Sequence, residues 1–313
     1  VAIRLPLFLE FSLDLNLVHI VFEISRDEPV SLIQQLYDAV RGFEKYFKSC
    51  SCTQNDLPCQ LCRDLEACCP YRSVFGQLLS TDPGVVRRHQ KPPLPFAFKI
   101  IETEQTTECT ELGLVIAGKA IHHVSLFQSA VKLMIASVTE NKGVDATVSG
   151  TWCLDYQGGR HELNAASYQL ILFSSLEIIQ ATQHSKSVKI YLDSPLRLLC
   201  GGSIAHAFDF GLLLRSQLRR CSSFFAHFGE GELELDYVLL SQEAEKVTSP
   251  GNVFNFSKPQ WALHARLGGI LGAGEFTGLT DGMFPLLRLG SYLNAGKGAA
   301  YGLGAYRIES IPD

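Results

Sequence analysis

Eleven of the chain's 26 glycines lie between Gly268 and Gly304. No other feature restricts the fold as strongly. Glycine loses more backbone freedom on ordering than any other residue, and it persists where the chain needs positive φ or the close approach of another backbone. The stretch runs Leu267-Gly268-Gly269-Ile270-Leu271-Gly272-Ala273-Gly274, then Phe284-Pro285-Leu286-Leu287-Arg288-Leu289-Gly290, then Ala295-Gly296-Lys297-Gly298-Ala299-Ala300-Tyr301-Gly302-Leu303-Gly304. Two close neighbours fit it: a nucleic-acid backbone, or a helix packed tightly on a sheet. Nucleotide loops do not fit. The phosphate loop requires Gly-x-x-x-x-Gly-Lys-Ser/Thr; here Gly290 is one position too far from Gly296, and Gly298 stands where the hydroxyl residue belongs. A dinucleotide fingerprint fails as well, because Gly298, Gly302 and Gly304 have the wrong spacing and follow a helix.

The chain has 313 residues, 46% hydrophobic and 19% charged, enough for two globular domains with substantial cores. No apolar run reaches the ~18 residues that span a bilayer, and Arg4, Pro6, Glu10 and Asp14 interrupt the opening segment where a signal peptide would be apolar. A cytoplasmic protein without a membrane partner is expected. The net charge of −5 is unevenly spread: residues 1–185 carry 15 basic and 20 acidic groups, residues 186–313 twelve of each. Any nucleic-acid contact is therefore confined to a local basic patch and led by shape.

Six of the ten cysteines crowd between Cys50 and Cys69. Cys59-Gln60-Leu61-Cys62 with flanking thiols has the spacing of a metal knuckle, since thiolates on such a turn both reach a tetrahedral zinc. The expected ligands of a structural zinc are Cys59, Cys62 and Cys69 with Cys52 or Cys50. The alternative is a set of reduced thiols in a small insertion.

Along the chain, Leu15 to Ile24 predicts a strand with His19 and Glu23 on its polar face. A helix follows over Ser31 to Lys48, then a cysteine-rich insertion at about 49–80. Strands are predicted at Phe96–Glu102 and Glu111–Ile116, a helix at His122–Ser137 and a strand at Val144–Trp152. The polar stretch from Asn164 to Lys186 ends a first domain, 1–185. The second, 186–313, opens with a strand at Ser187–Leu192. A helix spans Phe208 to Phe228, carrying Arg215, Arg219 and Arg220, a group that also reads as a solvated face. An acidic solvated segment runs from Glu230 to Glu245. The glycine region, a short helix at Met283–Leu293 and a strand at Ala300–Glu309 complete the chain. Each half reads strand, helix, strands, helix, strand. This is the order of an α+β, ferredoxin-like (RRM-like) unit, here in tandem.

At the glycine region the residues resemble a known family. Leu267-Gly268-Gly269, Pro285-Leu286-Leu287-Arg288-Leu289-Gly290, Gly296-Lys297-Gly298 and Tyr301-Gly302-Leu303-Gly304 are similar to the C-terminal signature of the CRISPR repeat-processing endoribonucleases, tandem ferredoxin-like proteins of the RAMP superfamily. Ala39-Val40-Arg41-Gly42 resembles the family's first-helix motif, Cys59-x-x-Cys62 with Cys69-Pro70-Tyr71 its cysteine knuckle, and Pro92-Pro93-x-Pro95-Phe96 its mid-domain strand entry. Ser194-Pro195-Leu196-Arg197-Leu198, Asp209-Phe210 and Arg219-Arg220 resemble its second domain.

The resemblance implies binding of a precursor repeat RNA and its cleavage without a metal cofactor. The 2′-hydroxyl attacks the adjacent phosphate to give a 2′,3′-cyclic phosphate (or the corresponding phosphate) and a 5′-hydroxyl. It also implies retention of the guide RNA and assembly with other CRISPR effector subunits. The implied RNA-binding residues are Arg197, Arg219, Arg220, Lys258, Arg266, Gly296, Lys297, Gly298, Tyr301 and Gly302. The reaction needs a base, an acid and a cation on the phosphate. Many members place a histidine on or just after the first helix; here Tyr46 stands at that position. Tyr46 with Lys45 or Lys48 can hold a phosphate and relay a proton. His19 and His264 are the substitute bases. A second departure is Pro259, which replaces a basic residue in the strand before the glycines. A non-catalytic guide-RNA-binding subunit is the alternative reading.

Overall fold

The computed structural model describes residues 14–26, 32–52, 69–101, 109–142, 146–163, 169–182, 185–233, 235–258 and 267–311. The chain divides into two compact units. One is Leu17–Leu172; the other joins Val1–Asn16 to Phe173–Asp313.

In the first unit the elements run β1 (Asn16–Arg26), α1 (Leu32–Arg41), α2 (Phe43–Ser51), α3 (Pro70–Phe75), α4 (Pro83–Arg88), β2 (Phe96–Ile101), β3 (Cys109–Ala117), α5 (Val124–Lys142), β4 (Ala146–Leu154) and β5 (Arg160–Glu162). The sheet order is β2-β3-β1-β4-β5, each neighbour antiparallel. Without the β5 extension this is a βαββαβ chain wound as second, third, first and fourth strand, the ferredoxin-like arrangement. The expected single helix over Ser31–Lys48 breaks at Gly42, the N-cap of α2. Phe43 and Phe47 of α2 pack with Phe96, Phe98 and Phe127, ring centroids 4.8–6.2 Å apart. The C-terminal part of the expected cysteine-rich insertion is α3, whose Phe75 joins the same cluster 5.5 Å from Phe47. Burial of these rings, at about 25 cal/mol per Å² of apolar surface, stabilises the unit together with the aliphatic core of β1, β3 and α5.

The second unit continues with β6 (Phe173–Ser174), α6 (Ser175–Ala181), β7 (Ser187–Leu196), β8 (Leu199–Cys200), β9 (Ser203–Ile204), α7 (Phe210–Phe228), α8 (Tyr237–Ala244), β10 (Thr248–Asn252), β11 (Asn255–Ser257), β12 (Gly269–Thr277), α9 (Met283–Leu293) and β13 (Tyr306–Ser310). The order β10-β12-β7-β13, with β11 also on β12, repeats the topology of the first unit. Asp209 starts α7 by accepting a hydrogen bond from Leu212 N at 2.6 Å. In this unit two helices lie where the sequence reading gives none, as α4 does in the first, within a stretch that reads as a loop from Ser80 to Pro95. α6 falls in the polar stretch after Asn164 and is started by a capping box of Ser174 and Glu177. α8 lies inside the acidic segment and buries Leu240 and Ala244.

Helices α7 and α9 cover one face of the second sheet. Their close approach depends on Gly290: a Cβ there would sit 2.6 Å from Gln217 Cδ of α7 and 2.7 Å from the Tyr306 hydroxyl. That hydroxyl donates to Leu287 O at 2.7 Å. Burial pushes the Tyr306 phenol well above its ordinary range, so it stays a donor.

Candidate nucleic-acid interface

The glycine loop begins where α9 ends. Asn294 takes φ 60° and donates from Nδ2 to Ala299 O at 2.9 Å. Gly296, at φ 72°, passes over the end of β7, where a Cβ would lie 2.5 Å from Arg197 O. Lys297 N then donates to that carbonyl at 2.9 Å. Gly298 (φ 86°) and Gly302 (φ 87°) bracket the short 3-10 turn Ala299–Tyr301. Gly304, at φ 65°, returns beneath Ala295: its N–H bonds Pro195 O at 3.0 Å, and its carbonyl accepts from Ala295 N at 2.8 Å. The loop is thus stitched to the end of β7 and to its own start. In the loop itself, Gly296 and Gly304 make room for the protein's own backbone at Arg197 and Ala295. Lys297 is exposed at the outer edge and Tyr301 is half-buried.

Helix α7 holds this loop from the other side. Gln217 Nε2 donates to Asn294 O at 3.0 Å, and Arg220 Nε donates to Leu293 O at 2.7 Å. The Arg220 guanidinium lies 4.9 Å from the Phe224 ring centroid, and burial lowers its pKa to about 10. Arg220 is therefore committed to the carbonyl end of α9, where a cation is favoured. Arg219 is exposed and donates to Arg215 O at 3.3 Å. Arg215 pairs with Glu245 at 3.6 Å and Asp209 at 4.0 Å. Arg197 is half-buried beneath the loop, and Lys258 is exposed just after β11. Arg266 and His264 lie outside the described residues.

The candidates of the first unit separate. His19 and Glu23 do share a face of β1, but His19 is only 8% exposed. Burial, then the nearby Lys99 charge, lowers its pKa to about 3. It is a neutral, weakly basic imidazole. Room for it comes from Gly113 across the ladder, where a Cβ would stand 3.1 Å from His19 Nε2. Tyr46 lies on the other side of the sheet, in the helical layer. Its hydroxyl donates to Ser137 Oγ of α5 at 3.1 Å, and the exposed Lys45 places Nζ 4.5 Å from its ring centroid. His19 and Tyr46 thus belong to opposite faces of one sheet and cannot serve a single centre.

Charged and aromatic groups absent from the sequence-based candidates lie on the His19–Glu23 face of the first sheet and on the Lys189–Asp193 face of the second. On the first, Arg160 pairs with Glu111 at 2.9 Å and lies 5.3 Å from the Trp152 ring, whose Nε1 donates to Glu23 at 3.4 Å. On the second, Tyr191 lies between Lys189 and Arg307, at 5.5 and 4.9 Å, and Arg307 bonds Asp193 at 2.8 Å. The alternation of Lys189, Tyr191 and Asp193 along β7 is the signal that marks this face.

Of the expected zinc ligands, Cys52 and Cys69 are half-buried, while Cys59 and Cys62 lie outside the described residues. Among the described residues, no three His, Cys, Asp or Glu side chains gather as a metal site. No helix among them is long and apolar enough to cross a membrane.

No curated protein matches the chain at the sequence level. Residues 190–306 match the family model of the CRISPR-associated endoribonuclease Cas6, and residues 15–163 match a second model described as an N-terminal domain. Solved structures share the fold. A Thermus thermophilus Cas6 aligns over 94% of this chain and 99% of its own, at 12% identity and TM-score 0.55. A Cas6 in a substrate-mimic complex aligns over 94% and 99%, at 14% identity and TM-score 0.51. A partial Cas6-RT-Cas1–Cas2 complex aligns over 95% of this chain and 46% of the longer one, at 11% identity and TM-score 0.54. The Cas6 family model thus covers β7 through the glycine loop of the second unit, and the chain as a whole shares the fold of those solved Cas6 structures.

Proposed function

We propose that this chain binds the repeat of a precursor CRISPR RNA and cleaves it without a metal. The observation that carries the reading is the Cas6 family match over residues 190–306, which contain the whole glycine loop. RNA phosphates meet Lys297 at the loop's edge, with Arg219 and Lys258 as exposed partners and Arg266 beyond the described residues. Gly296, Gly298, Tyr301 and Gly302 shape the loop. Arg197 and Arg220 act from beneath, through the backbone contacts that fasten it.

In the reaction the 2′-hydroxyl loses its proton to a base and its oxygen bonds to phosphorus. The P–O5′ bond breaks, and the departing 5′-oxygen takes a proton. A 2′,3′-cyclic phosphate and a 5′-hydroxyl remain. We assign Lys45 to the phosphate charge and Tyr46 to the proton relay; His19 and His264 are the competing bases. A structural zinc would be held by Cys52, Cys59, Cys62 and Cys69. The setting is cytoplasmic, and other CRISPR subunits are the protein partners; one solved structure with this fold is a partial Cas6-RT-Cas1–Cas2 complex.

The test is incubation of the purified chain with the repeat RNA of its neighbouring array in EDTA. A product with a cyclic phosphate end is expected. Binding without cleavage would instead support a guide-RNA-binding subunit. That second reading is favoured by one observation: His19 is buried and weakly basic.

A further inference from the structure

The segment before α7 meets the segment around β11 through two pairs of parallel rings. Phe208 lies on Phe254, centroids 4.0 Å apart and planes within 9°; His206 lies on Phe256, 4.2 Å apart and within 6°. The paired residues are two apart on each segment, so the rings form a ladder of two rungs. The inner rung is rooted in the core. Phe208 and Phe254 both lie near Phe276, which is 3% exposed, at 5.4 and 6.1 Å. Gly274 opens the seat for Phe254, since a Cβ there would be 2.4 Å from that ring. The outer rung has no such seat. Phe256 is 39% exposed, and His206 is exposed as well.

An aromatic this exposed gains little from burial. What the outer rung offers is a flat π-surface held rigid by the inner one, which is the geometry on which unpaired bases stack. Charge adds to this. Lys258 is exposed two residues beyond Phe256, immediately after β11, which keeps a cation within about 7 Å along the chain, close to the spacing of successive RNA phosphates. We infer that the His206–Phe256 pair is a stacking platform for an unpaired RNA base, with Lys258 on the adjoining phosphate. This rests on the RNA-binding reading above and adds a single-stranded segment to what the chain recognises.

The test uses the whole chain with two fluorescein-labelled RNA 12-mers, oligoadenosine and oligouridine, and a third oligoadenosine carrying one 2-aminopurine. Phe256→Leu keeps apolar bulk but removes the flat ring; Phe256→Trp keeps the ring. Phe256→Leu is expected to weaken oligoadenosine binding about tenfold, the loss of roughly one base stack, and oligouridine binding less. It should also abolish 2-aminopurine quenching. Phe256→Trp should retain both, and His206→Leu should reproduce the Phe256→Leu loss. Unchanged oligoadenosine affinity and quenching in Phe256→Leu would overturn the platform while leaving RNA binding intact. Equal losses in Phe256→Leu and Phe256→Trp would also overturn it. A wild-type chain that binds neither these oligomers nor repeat RNA would overturn the RNA-binding reading itself.

Discussion

Gly304 lies so close beneath Ala295 that a side-chain carbon on it would sit 1.9 Å from the Ala295 carbonyl oxygen. Its φ of 65° is also one that L residues rarely adopt. Alanine there must both move the loop and accept a strained backbone. Gly304→Ala should lower the free energy of unfolding by at least about 2 kcal/mol, measured by urea denaturation. A stability within about 0.5 kcal/mol of wild type would refute the packing account of the glycine loop.

Arg220 and Lys297 are both cations beside that loop, yet opposite outcomes are expected. Arg220→Met removes a charged donor from Leu293 O and should cost roughly 1.5–3 kcal/mol, with weaker repeat-RNA binding as a consequence of the loosened loop. Lys297→Ala should leave the unfolding midpoint in place. It should weaken RNA binding and make the slope of log affinity against log salt shallower by about 0.7–0.9, one phosphate contact. Unchanged affinity at two salt concentrations contradicts the role given to Lys297.

The tandem βαββαβ order was legible because helical periodicity at Phe208–Phe228 and Met283–Leu293 alternates with short apolar runs such as Ser187–Leu192. β12 was hidden. Gly272 and Gly274 stand where alternating side chains would mark a strand, since a Cβ at either would strike Val253 O or the Phe254 ring. The start of α6 was written in Ser174 and Glu177, a local signal. The fates of His19 and Arg220 had no local signal. Alternation placed His19 beside Glu23, but its burial depends on Gly113, far along the chain. Arg220 reads as part of a basic helix face until α9 brings Leu293 O to it.

His19 makes stability depend on pH. Its folded pKa of about 3 is far below the ordinary 6.5. Between these values the unfolded chain takes up a proton that the folded chain refuses, so stability falls as pH drops from 6.5 toward 3 and is unaffected by this group above 6.5. The slope approaches about 1.4 kcal/mol per pH unit in the middle of that window. His19→Gln should flatten the wild-type dependence of the urea midpoint between pH 4 and 6.5. Identical slopes for the two proteins would show that His19 is not held neutral.

Lys45 and Tyr46 separate charge from packing within one helix. Lys45 is exposed, so Lys45→Ala should leave the unfolding midpoint unchanged while slowing cleavage of repeat RNA about a hundredfold through loss of phosphate stabilisation. Tyr46→Phe removes the hydroxyl that donates to Ser137 and should cost about 0.5–1.5 kcal/mol. If Tyr46 also relays the proton, the same change slows cleavage at least a hundredfold and removes one limb of the pH–rate profile. Single-turnover cleavage in EDTA across pH 5 to 9, with stability measured alongside, checks both. A Tyr46→Phe enzyme that loses stability yet cleaves at the wild-type rate assigns Tyr46 to the α2–α5 contact alone and leaves the base to a histidine. His19 lies on the opposite face of the sheet from the α2 layer that carries Lys45, so a cleavage defect in Lys45→Ala that is absent in His19→Gln would locate the centre on the helical side.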